Sequence, residues 1–471
     1  MLAIPEHIFR GYDIRGEVGK ELDERMIRLI ARGFVTMLYE KQITECVVGC
    51  DNRETSDEYK NYFITELVKN GVDAYDIGHS LSQIVYWGQY FFLSKGCAMV
   101  TASHNVAEYN GFKLGRSFSD TFETDEIKKL VQIIKTEKFK KFNRQAKTVI
   151  KDIFPDYKKD LLKRVSIKKK FKVVIDGCNG FSGVFVPEIL EAVGCRVIRQ
   201  NCEPNGKFPS GTPDPTERKV QQRLADRVLK EKAEIGFSYD ADGDRVGIVD
   251  GKGNLIWNDT LVALLAQDVL FFEPQGKIIY NTLCSKQTDD VIRASGGIPV
   301  MWKTGHSFIK AKIRQEKAAF GGELSGHIFF VDNFYGHDDG AFGTLRLLQY
   351  LSRTQQTLAE AVAKFPQYIS SPEIKLGCPD EVKFPLIDKQ IRENLKDLFP
   401  KAQYIDIDGF RADTDEMMVI IRASQNGPYV TVKFEAREKD KYEWLKQKIS
   451  EILHRYAEID FQKGVNTDAL K

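Results

Sequence analysis

The chain of 471 residues has no C-x-x-C pair, no apolar run long enough to cross a bilayer and no marked excess of either charge sign. Each absence removes a class of protein. Its eight cysteines (46, 50, 97, 178, 195, 202, 284 and 378) are scattered, with no zinc-like pairing to the seven histidines. They read as small core hydrophobes in a reducing compartment rather than as a disulfide framework. The most suggestive apolar patch, IVYWGQYFFL, is about half the length a bilayer needs. The N-terminus carries Glu6 and Asp13 and lacks the apolar core of a signal peptide. A cytoplasmic protein without a membrane partner is the expectation. Lys plus Arg number 69 against 67 for Asp plus Glu, a net charge of +2, so no global field argues for nucleic acid. The lysine run in KRVSIKKKFK, beside a strand start, reads as a solvated helix end. An anionic ligand must therefore be held by local charge.

What the chain does have is ample material for several cores. Hydrophobic residues make up 42% and charged residues 29%, the balance of an ordered globular protein. Single cores stop growing near about 250–300 residues, so three or four domains are expected. Three segments repeat one pattern: an apolar strand, an acidic or amide residue at its end, a helix-length stretch, and a glycine opening the next strand. They are CVVGCD with GVDAYDIG, FKVVIDG with GCRVIR, and KIIYN with GIPVMW. From Asp51 to Gly71, Asp176 to Gly194 and Asn281 to Gly297 the spacing is 20, 18 and 16 residues. That length fits a βαβ crossover, so the fold class is α/β, with three similar domains built on mixed, mainly parallel sheets. The last hundred residues differ. DEMMVIIRASQNGPYVTVKFEA reads as two strands joined by a turn, and DKYEWLKQKISEILHRYAEI has helical periodicity. Four domains, 1–150, 151–253, 254–367 and an α+β module 368–471, are the expected division.

The most specific chemistry lies in YDADGDRVG. Asp240, Asp242 and Asp244 alternate directly after the apolar strand IGFSY. Three ionised carboxylates this close repel strongly unless a divalent cation lies among them, and oxygen-only ligands point to Mg²⁺ rather than zinc. An EF-hand loop would need glycine sixth and glutamate twelfth, where this chain has Arg245 and Gly251. A second loop, TASHN at 101–105, follows the apolar run GCAMV. It lacks the G-x-S-x-G pattern of a hydrolase elbow. Adjacent strand residues point to opposite faces, so Ser103 and His104 need not act together. On its own this loop is either a turn or a site.

The serine loop, the aspartate loop, FRGYDIRG and GGELSGH occur in one order along the chain, and together they resemble the α-D-phosphohexomutases. Within that family the sequence is most similar to the bacterial phosphomannomutase/phosphoglucomutase branch. The resemblance implies four domains around a central active-site cleft, each supplying a loop. It implies that Ser103 is the phosphorylated residue and that Ser103, Asp240, Asp242 and Asp244 hold one Mg²⁺. Arg245 and Lys113 would neutralise the remaining charge. The implied activity moves phosphate between O1 and O6 of mannose or glucose through a bound hexose 1,6-bisphosphate. Arg15, Lys113, His104 and His306 become the candidates for proton transfer, with Lys113 and His306 ranked above His104. Glu323, Ser325 and His327 are placed at the sugar, with Tyr12 and Lys303 among the substrate contacts. Arg422, Ser424, Asn426 and the backbone of Gly427 are placed at the phosphate that is not transferred.

The chain also departs from that family. Val106 stands where proline is usual, Leu283 where the nearest branch tends to place a lysine, and Asn426-Gly427 where threonines are usual. Leu324 takes a position that is Gln in glucosamine-specific members and Met in the mannose/glucose branch, and its apolar side chain favours the latter. The alternatives are a phosphoglucosamine mutase, a metal-dependent phosphatase and a weakly active sugar-phosphate-binding paralogue. The expected partners are small sugar phosphates, with the chain a monomer or weak dimer.

Overall fold

A computed structural model describes residues 2–471, which fall into two compact units: 2–256 with Ser325–Glu360, and Trp257–Leu324 with Ala361–Lys471. This division is coarser than the fourfold one expected from the sequence.

In the first unit a six-stranded sheet runs in the order Ile14–Glu17, Tyr109–Gly115, Gly96–Val100, Glu45–Cys50, Asp73–His79, Thr148–Ile150. Its central strands are parallel, and Tyr109–Gly115 lies antiparallel between Ile14–Glu17 and Gly96–Val100. Helix Glu24–Glu40 starts where the Asp23 carboxylate accepts the Met26 N–H at 2.7 Å, satisfying a donor that the first turn leaves open. It buries Met26, Ile27, Ile30, Phe34 and Leu38 at three- and four-residue spacing, in one core with the sheet and helices Ser56–Lys69 and Thr124–Thr136. The second sheet has the order Leu255–Ile256, Val246–Asp250, Ile235–Tyr239, Lys172–Asp176, Arg196–Gln200. Lys172–Asp176 is parallel to both neighbours, and Ile235–Tyr239 forms an antiparallel hairpin with Val246–Asp250. Helix Gly340–Thr354 packs on the hairpin strand Val246–Asp250.

In the second unit Lys277–Asn281 pairs in parallel with Ile298–Trp302 and with Phe320–Gly322. The C-terminal sheet is antiparallel, and Met417–Ala423 pairs with Tyr429–Ala436 as the expected hairpin. Helix Lys439–Leu453 packs on it. All three crossovers read from strand-to-glycine spacing are therefore parallel βαβ units. Among the described residues no helix is long and apolar enough to cross a membrane.

One buried carboxyl gives the fold a pH dependence. Asp339 caps helix Gly340–Thr354 by accepting the Phe342 N–H at 2.8 Å, and the Tyr157 hydroxyl donates to it at 2.7 Å. Burial outweighs these bonds and pushes its pKa up to about 7. An unfolded aspartate titrates near about 3.9, so between about pH 4 and 7 the folded state holds a proton that the unfolded state has lost. Stability contributed by this group falls as pH rises through that window, by at most about 1.4 kcal/mol per pH unit. Asp339→Asn keeps the cap without the titration. The thermal midpoint of the wild type should fall relative to that of the Asn variant between pH 5 and 8. Parallel pH profiles would remove Asp339 as the cause.

Candidate functional site

The strand Gly96–Val100 ends at Thr101, and two residues later the backbone turns left-handed: Ser103 has φ 51° and is 1% exposed. Its N–H donates to Thr101 Oγ1 at 2.8 Å. Its Oγ donates to Asp240 Oδ2 at 2.8 Å and lies 3.2 Å from His104 Nδ1. The expectation of opposed side chains assumed a strand; the left-handed residue brings the serine and histidine together instead.

The hairpin between Ile235–Tyr239 and Val246–Asp250 presents the three aspartates, all fully buried. Gly243 makes the tight loop possible, with φ +74° and a position where a Cβ would come within 2.8 Å of Ser182 Oγ. Oxygens from Asp240, Asp242 and Asp244 all lie within 4.8 Å of one another. Lys113 Nζ donates to Asp242 Oδ2 at 2.7 Å and to Asp244 Oδ2. Ser82 Oγ donates to Asp242 Oδ2 at 2.6 Å, and the Arg245 N–H donates to Asp240 Oδ1 at 3.1 Å.

These contacts divide the cluster electrostatically. Asp240 is pushed well above the usual carboxylate range by burial and by the charges of Asp242 and Asp244. Burial acts on Asp242 in the same direction, but the Lys113 ammonium and the Ser82 hydroxyl overcome it and hold its pKa low. Burial would lower the pKa of Lys113, yet Asp242 and Asp244 outweigh it and keep the side chain a firm ammonium. The Oδ1 atoms of Asp242 and Asp244 are buried and have no hydrogen-bond partner. Two buried anionic oxygens without a donor, beside a third carboxylate and a serine hydroxyl, fit a hard oxygen-seeking cation such as Mg²⁺. A second grouping, Cys50, Asp57 and His79, is less suited to a cation, because the Lys60 ammonium stands 3.7 Å from Asp57 Oδ1.

Other expected residues gather around this cluster. Arg245 Nε donates to His327 Nε2 at 3.0 Å, and His327 Nδ1 lies 2.9 Å from Asp338 Oδ2. The Gly326 carbonyl accepts the Val246 N–H at 3.2 Å, which sets half-buried Ser325 next to the aspartate hairpin. Arg15 donates to Asn105 Oδ1 at 2.9 Å and to Asp13 Oδ2 at 2.8 Å. Tyr12 is buried.

The remaining residues belong to the second unit. Glu323, 1% exposed, accepts the Gly305 N–H at 2.7 Å, one residue before the start of helix His306–Glu316. Lys303 Nζ sits 3.9 Å from the centre of the Phe308 ring. Arg422 Nε donates at 2.7 Å to Asp408 Oδ2, which also accepts the Thr304 N–H at 2.9 Å. One carboxylate thus ties Arg422 to the loop that leads into the helix begun by His306. Ser424 Oγ accepts the Asn426 N–H at 3.1 Å, and the Gly427 carbonyl accepts from Lys383 at 2.7 Å. Leu324 and Leu283 are both buried, so Leu283 serves as core packing. Arg53, Ser82, Asp338 and Asp408 also make polar contacts here and give no signal in the sequence, because none lies in a motif of its own.

Family models match three consecutive stretches of the chain. Models described as phosphoglucomutase/phosphomannomutase alpha/beta/alpha domains I, II and III match residues 6–141, 155–253 and 257–368. A phosphomannomutase/phosphoglucomutase of Pseudomonas putida is 37% identical over 92% of this chain and 92% of its own length. The corresponding protein of Pseudomonas aeruginosa is 34% identical over 94% of this chain and 95% of its own. A crystal structure of a phosphoglucomutase/phosphomannomutase family protein from Burkholderia thailandensis superposes with a TM-score of 0.87 at 30% identity, covering 96% of this chain and 98% of that one. With three consecutive domain models and full-length relatives in agreement, the chain belongs to the phosphoglucomutase/phosphomannomutase family of the α-D-phosphohexomutase superfamily.

Proposed function

We propose that the protein is a phosphohexomutase that interconverts the 1- and 6-phosphates of mannose, glucose or both. The observation that carries this reading is the Ser103 hydroxyl bonded to Asp240 within a buried cluster of three carboxylates. A phosphate on Ser103 would be electrostatically tolerable only beside a metal, and the three carboxylates offer a place for one, which suits Ser103 to carry the phosphoryl group.

Asp240, Asp242, Asp244 and the phosphorylated Ser103 would hold one Mg²⁺. When bound, the cation supplies positive charge to the transferring phosphoryl oxygens. The chain's own groups do the rest. A sugar hydroxyl attacks phosphorus, the bond from phosphorus to Ser103 Oγ breaks, and the 1,6-bisphosphate results. The proton that the attacking hydroxyl loses equals the one the serine oxygen regains, so each half-reaction balances. The bisphosphate then turns over and returns its other phosphoryl to Ser103. Lys113, held as an ammonium by two carboxylates, is suited to charge stabilisation rather than to acting as a base. His104, 3.2 Å from Ser103 Oγ, is suited to handling the proton at the serine, and His306 to the sugar side. Glu323 accepts from the sugar hydroxyls, Ser325 and His327 add contacts to the sugar, and Arg422 presents a fork to the second phosphate. The residue ranges 1–150, 151–253, 254–367 and 368–471 are the four domains of this reading. The protein works in the cytoplasm, in keeping with eight free cysteines.

The purified chain with Mg²⁺, a trace of glucose 1,6-bisphosphate and mannose or glucose 1-phosphate should yield the 6-phosphates. The absence of product from both sugars would sink the reading. Faster turnover of glucosamine 1-phosphate would move the protein to the amino-sugar branch. Release of inorganic phosphate in place of isomerised sugar would make it a phosphatase.

A further inference from the structure

Arg53 has taken no part in the reaction described above, yet its surroundings are specific. A guanidinium has five N–H donors, and all five are used. Nε donates to Asp51 Oδ2 at 3.1 Å, Nη1 to the carbonyls of Val106 at 2.7 Å and Tyr109 at 2.9 Å, and Nη2 to those of Ser103 at 2.8 Å and Asn105 at 2.7 Å. The residue is 3% exposed, and the ring of Phe208 lies 5.0 Å from its guanidinium carbon.

Four of the five bonds thus fall on the main chain between Ser103 and Tyr109, the loop and the first residue of the strand that follows it. No helix supplies partners for these carbonyls: that of Ser103 meets Arg53 in the interior and would cost about 1–3 kcal/mol if left unpaired, while those of Asn105, Val106 and Tyr109 are partly buried, and that of Val106 also accepts the Tyr109 N–H at 3.2 Å. Asp51 completes the arrangement. Its Oδ1 accepts the Arg53 N–H at 3.0 Å and Ser56 Oγ at 2.5 Å; its Oδ2 accepts Thr101 Oγ1 at 2.8 Å. Thr101 Oγ1 in turn accepts the Ser103 N–H at 2.8 Å. Ser103 is therefore gripped on both sides, at its N–H through Thr101 and at its carbonyl through Arg53. The grip has work to do, because a left-handed backbone costs a non-glycine residue about 1–2 kcal/mol and persists only where its surroundings impose it. Val106 stands where the family usually has proline, and its carbonyl is one of the four that Arg53 holds.

We infer that Arg53 is a positioning residue for Ser103, fixing through four carbonyls the direction in which Oγ leaves the loop. The inference rests on the role proposed for Ser103. Lysine at this position keeps the charge, but as a point donor with three hydrogens it cannot reach four carbonyls and Asp51 together.

The test uses the full-length protein with Mg²⁺ and glucose 1,6-bisphosphate, comparing wild type, Arg53→Lys, Arg53→Ala and Ser103→Ala. Misplacing a reacting group by about 1 Å costs about a hundredfold, so Arg53→Lys should lose about that in kcat with KM unchanged. Amide hydrogen exchange should quicken in 103–109 while Gly96–Val100 keeps its protection. Millimolar guanidinium ion should restore part of the turnover of Arg53→Ala and none of that of Ser103→Ala. Wild-type kcat and wild-type loop exchange in Arg53→Lys would overturn the inference. So would losses of kcat, KM and melting temperature together without a loop-specific change in exchange, since that marks a general structural role. If Arg53→Ala fails to fold, Arg53→Lys decides by kcat and exchange. If the wild type proves inactive while the Arg53→Lys loop exchanges faster, the mutase reading fails and the positioning of the loop stands.

Discussion

Ser103→Ala is expected to bring turnover of both sugar phosphates to background, a loss of at least about a thousandfold, as when other enzymes lose a covalent nucleophile. The expectation is this strong because, among the described residues, Ser103 supplies the one hydroxyl bonded to the Asp240 carboxylate, whereas Ser182 Oγ donates to the Asp240 main-chain carbonyl at 3.2 Å. Thr101 Oγ1 is committed to Asp51 and the Ser103 N–H, and Ser82 Oγ to Asp242. The fold should tolerate the change: the variant gives up one hydrogen bond to a buried carboxylate, worth about 1–3 kcal/mol, and keeps the main-chain grip on the loop. Loss of activity in a variant that still melts cooperatively, only a few degrees below the wild type, would therefore report chemistry rather than unfolding. Intact mass supplies an independent reading. Wild-type protein as isolated should weigh about 80 Da more than after phosphatase treatment, and the alanine variant should show no such step. An alanine variant that isomerises at the wild-type rate would remove Ser103 as the donor.

Much of this site could be read from the chain, for physical reasons that differ between its parts. Apolar runs ending in Asp51, Asp176 and Asn281 show the crossovers because a buried parallel strand and its return helix have fixed lengths. Asp240, Asp242 and Asp244 announce themselves because like charges two residues apart at the end of a buried strand are costly without a purpose. The bond between Ser103 and Asp240 spans 137 positions and has no local signature. Arg53 is harder still: it lies in an ordinary DNRET turn, and its role appears only when the loop at 103–109 closes over it. The approach of His104 to Ser103 has no signal in the sequence either, because it depends on a left-handed turn at a residue that is not glycine. The return of Ser325–Glu360 to the first compact unit follows from packing, not from any break in composition.

Asp240→Asn is expected to separate stability from activity. Its carboxylate is fully buried beside those of Asp242 and Asp244, and Lys113 is bonded to the latter two. Asp240 is left with the weaker support of Arg245 Nε at 3.8 Å. Its charge is the least compensated of the three, and neutralising it relieves repulsion at little cost in hydrogen bonding. The asparagine oxygen can still accept the Arg245 N–H, and the Ser103 hydroxyl can rotate to accept from the amide nitrogen. In EDTA the variant should therefore melt at or above the wild type. Added Mg²⁺ should reverse the order. A ligand at a hundred times its Kd stabilises the folded state by about 2.7 kcal/mol, a gain open to the wild type and largely closed to a variant with one anionic ligand fewer. Turnover of the variant should fall on the order of a hundredfold, as when one preorganised electrostatic contact is removed. Such a crossover would mean that the cluster is kept at the expense of the metal-free fold because the cation, and the phosphoryl group it serves, require all three carboxylates. If Asp240→Asn gains as much melting temperature from Mg²⁺ as the wild type does, Asp240 is not a ligand and its repulsion needs another explanation.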